Sequence, residues 1–364
     1  MTKFTWTRAG LPVAAALAAW GLGACGFAAE VSPPADSFRQ VAAQAVACAE
    51  KSQSMTVPGV GGWLFLDKEL RHLIAPKFWA SGSGEPQVPG DPLPAILDFK
   101  RQLDLAGIDL ILVPVPAKAA IYPDKLADSL HLPEPLSPQT GETDRAFYRV
   151  LEENGIRVLD LTDPFLTARA GGPEPLYCRQ DTHWAPEGIR IAAKEIAARI
   201  KGLDWVAAQP KVLMKSASAP VTVNGDLAAA LPGAKPEPDQ VTACFVSAAD
   251  APERTPIPPS KGSPVILLGD SHNLIFHAGG DMQAAGAGLP DQLALELGFP
   301  VDVVAVRGSG ATPARRNLAR RKDNLAGCRI VVWCFSAREF TEGQGWAKVP
   351  VVKTPPPAQS GPET

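Results

Sequence analysis

Histidine, cysteine and net charge are all in short supply in this chain, which has five histidines, six cysteines and a formal net charge of −3 over 364 residues. The near balance of 35 basic and 38 acidic residues gives no sign of the basic surface that a nucleic-acid partner demands. The chain also lacks an internal repeat and an apolar run long enough to span a bilayer comfortably. What is present is ordinary globular composition, with 46% hydrophobic and 20% charged residues, enough for one large domain or two small ones.

The longest uncharged stretch, "AGLPVAAALAAWGLGA", follows Lys3 and Arg8 and suits the apolar region of a secretory signal. Residues 1–28 are therefore expected to be a signal peptide. Two cleavage sites compete. "LGAC" at 22–25 resembles a lipobox that leaves Cys25 as a lipid-modified N-terminus, and cleavage after Ala28 releases a soluble protein. Both export the chain to a compartment where disulfides persist. With Cys25 lipidated, Cys48, Cys178, Cys244, Cys328 and Cys334 remain, an odd number that allows at most two bridges within the chain. Cys328 and Cys334 flank and end "CRIVVWC", and roughly 20 Å of extended chain keeps them apart. They are expected as buried thiols, and Cys48 with Cys244 is the first pair to test.

Beyond the leader, helical and strand patterns alternate. Helices are expected over 35–50, 92–106, 143–154, 187–201, 289–298 and 313–321, and the apolar runs "IDLILVPVP", "IRVLDL", "PVILLGD", "VDVVAV" and "RIVVWCF" read as strands. Continuous Val/Ile/Leu runs separated by helices imply an α/β fold with a doubly wound, five-stranded parallel sheet covered on both faces. The domain is expected over 35–340. Residues from about 203 to 263 are rich in Pro and Ala with weak periodicity and read as an insert, and 347–364 read as a disordered tail.

Sites in such sheets gather beyond the carboxyl ends of the strands. That rule selects "AKAAIYPDKL", "YCRQDTHW", "GDSHN", "RGSGATP" and "SAREF". In "VILLGDSHN", Gly269 removes bulk just before Ser271, so the hydroxyl can be raised beyond the strand where backbone N–H groups stabilise an oxyanion. A serine needs a base to take its proton, and the scarcity of histidine leaves few choices. His272 adjoins the serine, and neighbours on extended chain point apart. His183, in "DTHW", follows Asp181 by two residues, so the carboxylate can fix its tautomer and leave the other nitrogen for Ser271.

Other readings of the same residues stay open. A Gly-Asp-Ser turn after a buried strand is, by itself, more often a helix-start cap, and "DTHW" can be a loop in which Asp181 caps a turn and Trp184 packs down. Asp181, His183, Asp270 and His272 form two Asp-x-His pairs that could bind a metal, although the spacing is generic and none is expected.

Taken together, "GGWLFLDKEL", "VPVPAKAAIYPDKL", "DTHW", "GDSHN" and "VVWCFSAREF", in this order over about 55–340, resemble the alginate O-acetyltransferase group of the SGNH hydrolase-like superfamily. "DTHW" ahead of "GDS" inverts the usual SGNH order, as a permuted member of that flavodoxin-like fold should. The resemblance implies a cofactor-free periplasmic enzyme that acetylates exopolysaccharide hydroxyls through an acetyl-serine, with Asp181, His183 and Ser271 as its triad. It also implies an acetyl donor supplied through a membrane-bound O-acyltransferase partner. Two features differ from relatives. Only a short Pro-rich tail follows the last strand where some members carry a carbohydrate-binding module, and the separate Asn block of other SGNH oxyanion holes is missing. The hole is therefore expected from the Ser271 N–H with Gly310 or Gly308. Arg179, Arg307 and Arg338, near strand ends, are expected to position the carboxylates of an anionic polymer, while Arg338 reads equally well as a structural ion-pair partner. The same triad serves a carbohydrate acetylesterase if water replaces the sugar, and a non-catalytic polysaccharide-binding component of a secretion system is a further reading.

Overall fold

In the computed structural model, which describes residues 34–80, 88–131, 136, 140–233 and 235–353, the five expected apolar runs form one parallel sheet. Its strands are β1 (Asp109–Val115), β2 (Arg157–Val158), β3 (Val265–Gly269), β4 (Asp302–Ala305) and β5 (Ile330–Ser336). They lie side by side in the order β4, β3, β5, β1, β2, every pair parallel. Successive side chains on a strand point to opposite faces, so each strand feeds two cores. Ile111, Val113, Leu267 and Val332 enter one, and Leu110, Leu112, Leu268 and Trp333 enter the other. Helices Pro34–Lys51, Pro186–Ile200 and Leu289–Leu297 cover the first face, and Leu93–Leu105, Glu142–Glu153 and Thr312–Arg320 cover the second. Both faces being buried explains why the strands read as unbroken aliphatic runs.

Counting strands from β3, the order across the sheet becomes 2-1-3-4-5, the flavodoxin order entered at a different point in the chain. β3 and β5 are neighbours at the point where chain direction across the sheet reverses, and their carboxyl ends come very close. A Cβ on Gly269 would lie 1.6 Å from the Cys334 carbonyl oxygen, so only glycine fits there.

The insert is not irregular. Met214–Val223 and Asp239–Ala248 form an antiparallel hairpin paired over ten positions, from Met214 opposite Ala248 to Val223 opposite Asp239. Val223, Val241, Ala243 and Phe245 join the first core, while Ser216, Ser218 and Thr222 stand on the exposed face.

Two expectations are corrected. The tail is ordered through 353: Val349 and Val351 are buried. The Gln102 carboxamide donates to the Val349 carbonyl and accepts from the Val351 and Val352 N–H groups, which anchors the segment on helix Leu93–Leu105. Residues 354–364 lie outside the described part. Cys48 and Cys244 are not bridged. Cys48 is exposed on its helix and Cys244 half-buried in the hairpin, and Cys178, Cys328 and Cys334 are buried free thiols as well. The expected signal peptide and Cys25 lie outside the described residues, among which no helix is long and apolar enough to cross a membrane.

Candidate active site

Two loops meet beyond the ends of β3 and β5. The first runs from Tyr177 to Trp184 and closes on itself. Tyr177 bridges Trp184, the Cys178 N–H donates to the His183 carbonyl at 3.1 Å, and the Ala185 N–H to the Leu176 carbonyl at 2.8 Å. The second is "GDSHN". Asp270, in extended conformation, caps a single 3-10 turn over Ser271–Asn273 by accepting the His272 N–H. The cap reading and the nucleophile reading thus fall on different residues, Asp270 and Ser271. Buried Trp184 ties the loops together, its indole N–H donating to the His272 carbonyl at 3.1 Å.

The structure brings Ser271, His183 and Asp181 into one hydrogen-bonded line. His183 Nε2 lies 2.7 Å from Ser271 Oγ, and His183 Nδ1 lies 2.7 Å from Asp181 Oδ1, across 88 residues of sequence. All three are buried, Ser271 retaining 7% exposure. Burial raises the Asp181 pKa, but the His183 hydrogen bond and charge outweigh it and hold the carboxyl at about 2. An ionised carboxylate only accepts, so the His183 proton sits on Nδ1 and the Nε2 lone pair faces the serine hydroxyl. Burial lowers the His183 pKa, yet the hydrogen bond and charge of Asp181, helped by Asp226 and Asp270, leave it raised overall. That is the electrostatic setting of a serine with a general base.

His272 is arranged differently. Its Nδ1 faces Asp270 Oδ1 at 3.1 Å, and burial outweighs that carboxylate and lowers its pKa, opposite to His183. The other Asp270 oxygen accepts the Ser336 N–H, and Asn273 Nδ2 donates to the carbonyls of Asp270 and Cys334. Asp270 and Asn273 therefore join the ends of β3 and β5, and His272 rests on Asp270. The carboxylate and imidazole atoms that converge to within 4.8 Å belong instead to Asp181, His183 and Asp226. Both His183 ring nitrogens are already engaged, so a cation there would have to displace the hydrogen bond to Asp181 or the one to Ser271.

The glycine candidates separate. Gly308 is exposed at a turn with φ +84°. Gly310 is buried, and a Cβ on it would lie 3.1 Å from the Asp270 nitrogen. The three arginines are each engaged by a carboxylate of the chain itself. Arg179 pairs with buried Asp239 at 2.7 Å, Arg307 with Asp281 through a two-pronged contact on the surface, and Arg338 with Glu69 at 3.1 Å and with the Ser336 hydroxyl at 2.8 Å.

Several residues of the site escaped sequence reasoning. The turn of the insert packs on the Asp181 loop so closely that a Cβ on Gly225 would lie 2.0 Å from the Gln180 carbonyl oxygen. There Asp226 accepts from the Thr182 N–H and hydroxyl and donates its own N–H to Asp181 Oδ2. Gln283, at φ +70°, reaches the same oxygen at 3.4 Å. Lys118, wholly buried, donates from Nζ to the Asp181 carbonyl. The one sequence signal for Lys118 was a charge inside the apolar run "VPVPAKAAIY".

A family model described as an SGNH hydrolase-like domain, acetyltransferase AlgX, matches residues 56–337. The probable alginate O-acetylase AlgJ of Pseudomonas syringae pv. tomato is 29% identical over 193 residues, 51% of this chain and 45% of that protein. The Pseudomonas aeruginosa protein of the same name is 26% identical over 301 residues, 78% of this chain and 69% of its own. The chain thus spans less than half of the first relative's length. Among solved structures, the O-acetyltransferase domain of Pseudomonas putida AlgJ superposes with a TM-score of 0.57 at 23% identity, covering 79% of this chain and 92% of that one. Pseudomonas aeruginosa AlgX gives 0.55 at 18%, covering 77% and 61%. At these identities the structural likeness is one of fold.

Proposed function

The chain belongs to the SGNH hydrolase-like acetyltransferase AlgX family, and from that premise we propose that it transfers acetyl groups to hydroxyls of an exported polysaccharide through an acetyl-serine. The observation that carries this reading is the Asp181–His183–Ser271 line, with both imidazole contacts at 2.7 Å.

His183 Nε2 takes the Ser271 hydroxyl proton as Oγ attacks the carbonyl carbon of an acetyl donor. The oxyanion is held by the Ser271 N–H and, of the two glycines, by Gly310, while Gly308 serves the turn. The donor's C–O bond breaks, its leaving group takes the proton from His183, and acetyl-Ser271 remains. A sugar hydroxyl then gives its proton to His183 and attacks the acetyl carbon, the bond between that carbon and Ser271 Oγ breaks, and Oγ takes the proton back from His183 as the acetylated sugar leaves. Asp181 stays ionised throughout and stabilises the imidazolium formed in each half.

The acceptor we assign is an exopolysaccharide, and the relatives' name, alginate O-acetylase, supports a uronate polymer. Of the three arginines, Arg307 is the one suited to meet its carboxylates. The Arg307–Asp281 pair is exposed on both sides and screened by water, so a uronate can replace Asp281 at little cost. Moving Arg179 or Arg338 would strip a buried carboxylate, Asp239 or Glu69, of its cation. The setting we propose is the periplasm, reached through the N-terminal leader, with cleavage before Cys25 leaving a lipidated anchor and cleavage after Ala28 a soluble form, and with the donor delivered by a membrane-bound O-acyltransferase.

The test is to incubate purified protein with a chromogenic acetate ester, with and without defined uronate oligosaccharides, and follow the sugar by mass spectrometry. Acetylated sugar supports the transferase, and acetate released without it would establish an esterase. Retained acetylation by Ser271→Ala or His183→Ala, both folded, would overturn the triad reading.

A further inference from the structure

Lys118 is the first residue of the short helix Lys118–Ile121, and its side chain is sealed from solvent. A lysine is almost never fully buried without partners, and here the partners are main-chain oxygens. Nζ lies 2.6 Å from the Asp181 carbonyl, 2.8 Å from that of Leu64 and 3.4 Å from that of Arg179. An ammonium has three N–H donors, one for each carbonyl, whereas a neutral amine has two. Burial lowers its pKa, and the Glu69 carboxylate opposes that.

Two of the three carbonyls belong to the loop that carries Asp181 and His183. The Arg179 carbonyl also accepts the Leu64 N–H at 2.8 Å, so this oxygen is held from two sides. The third, Leu64, lies in the Leu64–Leu66 strand, next to the helix Asp67–Ile74 that supplies Glu69. Glu69 Oε2 accepts the main-chain N–H of Lys118 at 3.2 Å and Oε1 accepts from Arg338 at 3.1 Å. Arg338 continues to the Ser336 hydroxyl, and the Ser336 N–H continues at 2.8 Å to Asp270, the residue before Ser271. The path thus starts at the Lys118 main chain and runs through two buried carboxylates, Glu69 and Asp270, with the Arg338 guanidinium and Ser336 between them.

We propose that Lys118 is a positioning residue for acetyl transfer. Through the Asp181 carbonyl it fixes the base-carrying loop, and through Glu69, Arg338 and Asp270 it sets that loop against the end of β3 that carries Ser271. The nucleophile and its base come from distant segments, so their 2.7 Å contact depends on how these two loops are registered. Hydrogen bonds within either loop cannot set that distance. This inference rests on the triad reading of the preceding section.

The experiment compares wild type, Lys118→Met and Ser271→Ala in single-turnover acetylation by a chromogenic acetate ester, with the ester varied to separate kcat from KM and folding checked by thermal melting. Met keeps the length of the side chain and removes the three Nζ contacts to main-chain carbonyls, while the main-chain N–H to Glu69 stays. A displacement of about 1 Å between reacting groups lowers rates on the order of 100-fold, so kcat per folded molecule should fall by about that factor while KM for the small ester stays within about twofold. A merely structural lysine would lower the melting temperature and leave kcat per folded molecule unchanged, and that result would overturn the proposal. If Lys118→Met does not fold, Glu69→Gln decides. It keeps the volume and one acceptor oxygen but breaks the path midway, so wild-type kcat in that variant overturns the proposal and a loss of tenfold or more supports it. Activity remaining in Ser271→Ala would count against the triad, and it is read in a separate arm.

Discussion

Replacing Asp181 by Asn removes one negative charge and converts one acceptor into a donor while keeping the shape of the side chain. In the wild type, Oδ1 accepts the His183 N–H at 3.0 Å and Nδ1–H at 2.7 Å, and Oδ2 accepts the Asp226 N–H at 3.2 Å and the Gln283 amide at 3.4 Å. The new NH₂ group must therefore oppose donors on one side or the other. Facing His183, it meets a main-chain N–H and compels the ring proton onto Nε2, which destroys the base. Facing Asp226 and Gln283, it meets two longer contacts, one from a side chain that can turn away. The second orientation is cheaper, so the tautomer survives and the loss comes from the missing charge. General-base assistance contributes about 10²- to 10⁴-fold, and loss of the correct tautomer in serine protease triads costs about 10⁴-fold. The Asn variant should thus fall by about 10²-fold, equivalent to ~2.7 kcal/mol of barrier, short of the tautomer limit. The acid limb of its pH profile should also move down, because Asp181 is what raises the His183 pKa. The assay is the rate of Ser271 acetylation against pH, with intact folding verified by circular dichroism. A wild-type rate, or a slowed rate with an unmoved acid limb, would refute the assignment of Asp181.

In the wild type the base must be unprotonated and its pKa is raised, so acetyl transfer should be lost as pH falls through a value above the ordinary ~6.5 of histidine; a half-maximal point below 6 in a pH–rate profile contradicts this. Gly269→Ala drives a methyl into the Cys334 carbonyl and should destabilise the sheet by about 3 kcal/mol or more, read as a lowered urea midpoint; an unchanged midpoint would show that the two strand ends are not held so close. A chelator should leave the transfer rate unchanged, because both His183 nitrogens are already bonded within the triad; loss of activity restored by one metal would instead place an ion on Asp181, His183 and Asp226. Arg307→Ala should raise KM for uronate oligosaccharides at constant kcat, and an unchanged KM removes Arg307 from acceptor binding.

What was legible in the residues follows from burial. β1, β3 and β5 are covered on both faces, so they read as aliphatic runs whatever their neighbours. The hairpin Met214–Val223 with Asp239–Ala248 has one solvent face, and its alternation is blurred by Ala and Pro, residues with weak preference for either side. The tail misled for a related reason. "AKVPVVK" looks like linker composition, but Val349 and Val351, two apart on extended chain, point the same way into the second core, and the carboxamide that holds them is some 250 residues away. Arginines at strand ends were visible. That all three are matched by carboxylates was not, since ion pairing between distant segments leaves no local pattern.

That Asp181, His183 and Ser271 would meet was legible for a topological reason. Entering a flavodoxin-type sheet at a different strand changes which motif comes first along the chain but not where strand ends lie. β3, first in the flavodoxin count, delivers Ser271, and the chain leaving β2, fifth in that count, runs through helix Thr162–Gly171 to the loop with Asp181 and His183. Order along the sequence is therefore a weak guide to the site, whereas position beyond a strand's carboxyl end is a strong one. The same argument explains the buried supports. A nucleophile and base brought in by different crossovers share no local backbone hydrogen bonds, so their registration falls to side chains that reach across: Trp184 to the His272 carbonyl, Asn273 to Cys334, and Lys118 to Asp181. Such residues carry no motif of their own. In the sequence they show only as polar groups where the fold demands burial, which makes that mismatch the signal to look for.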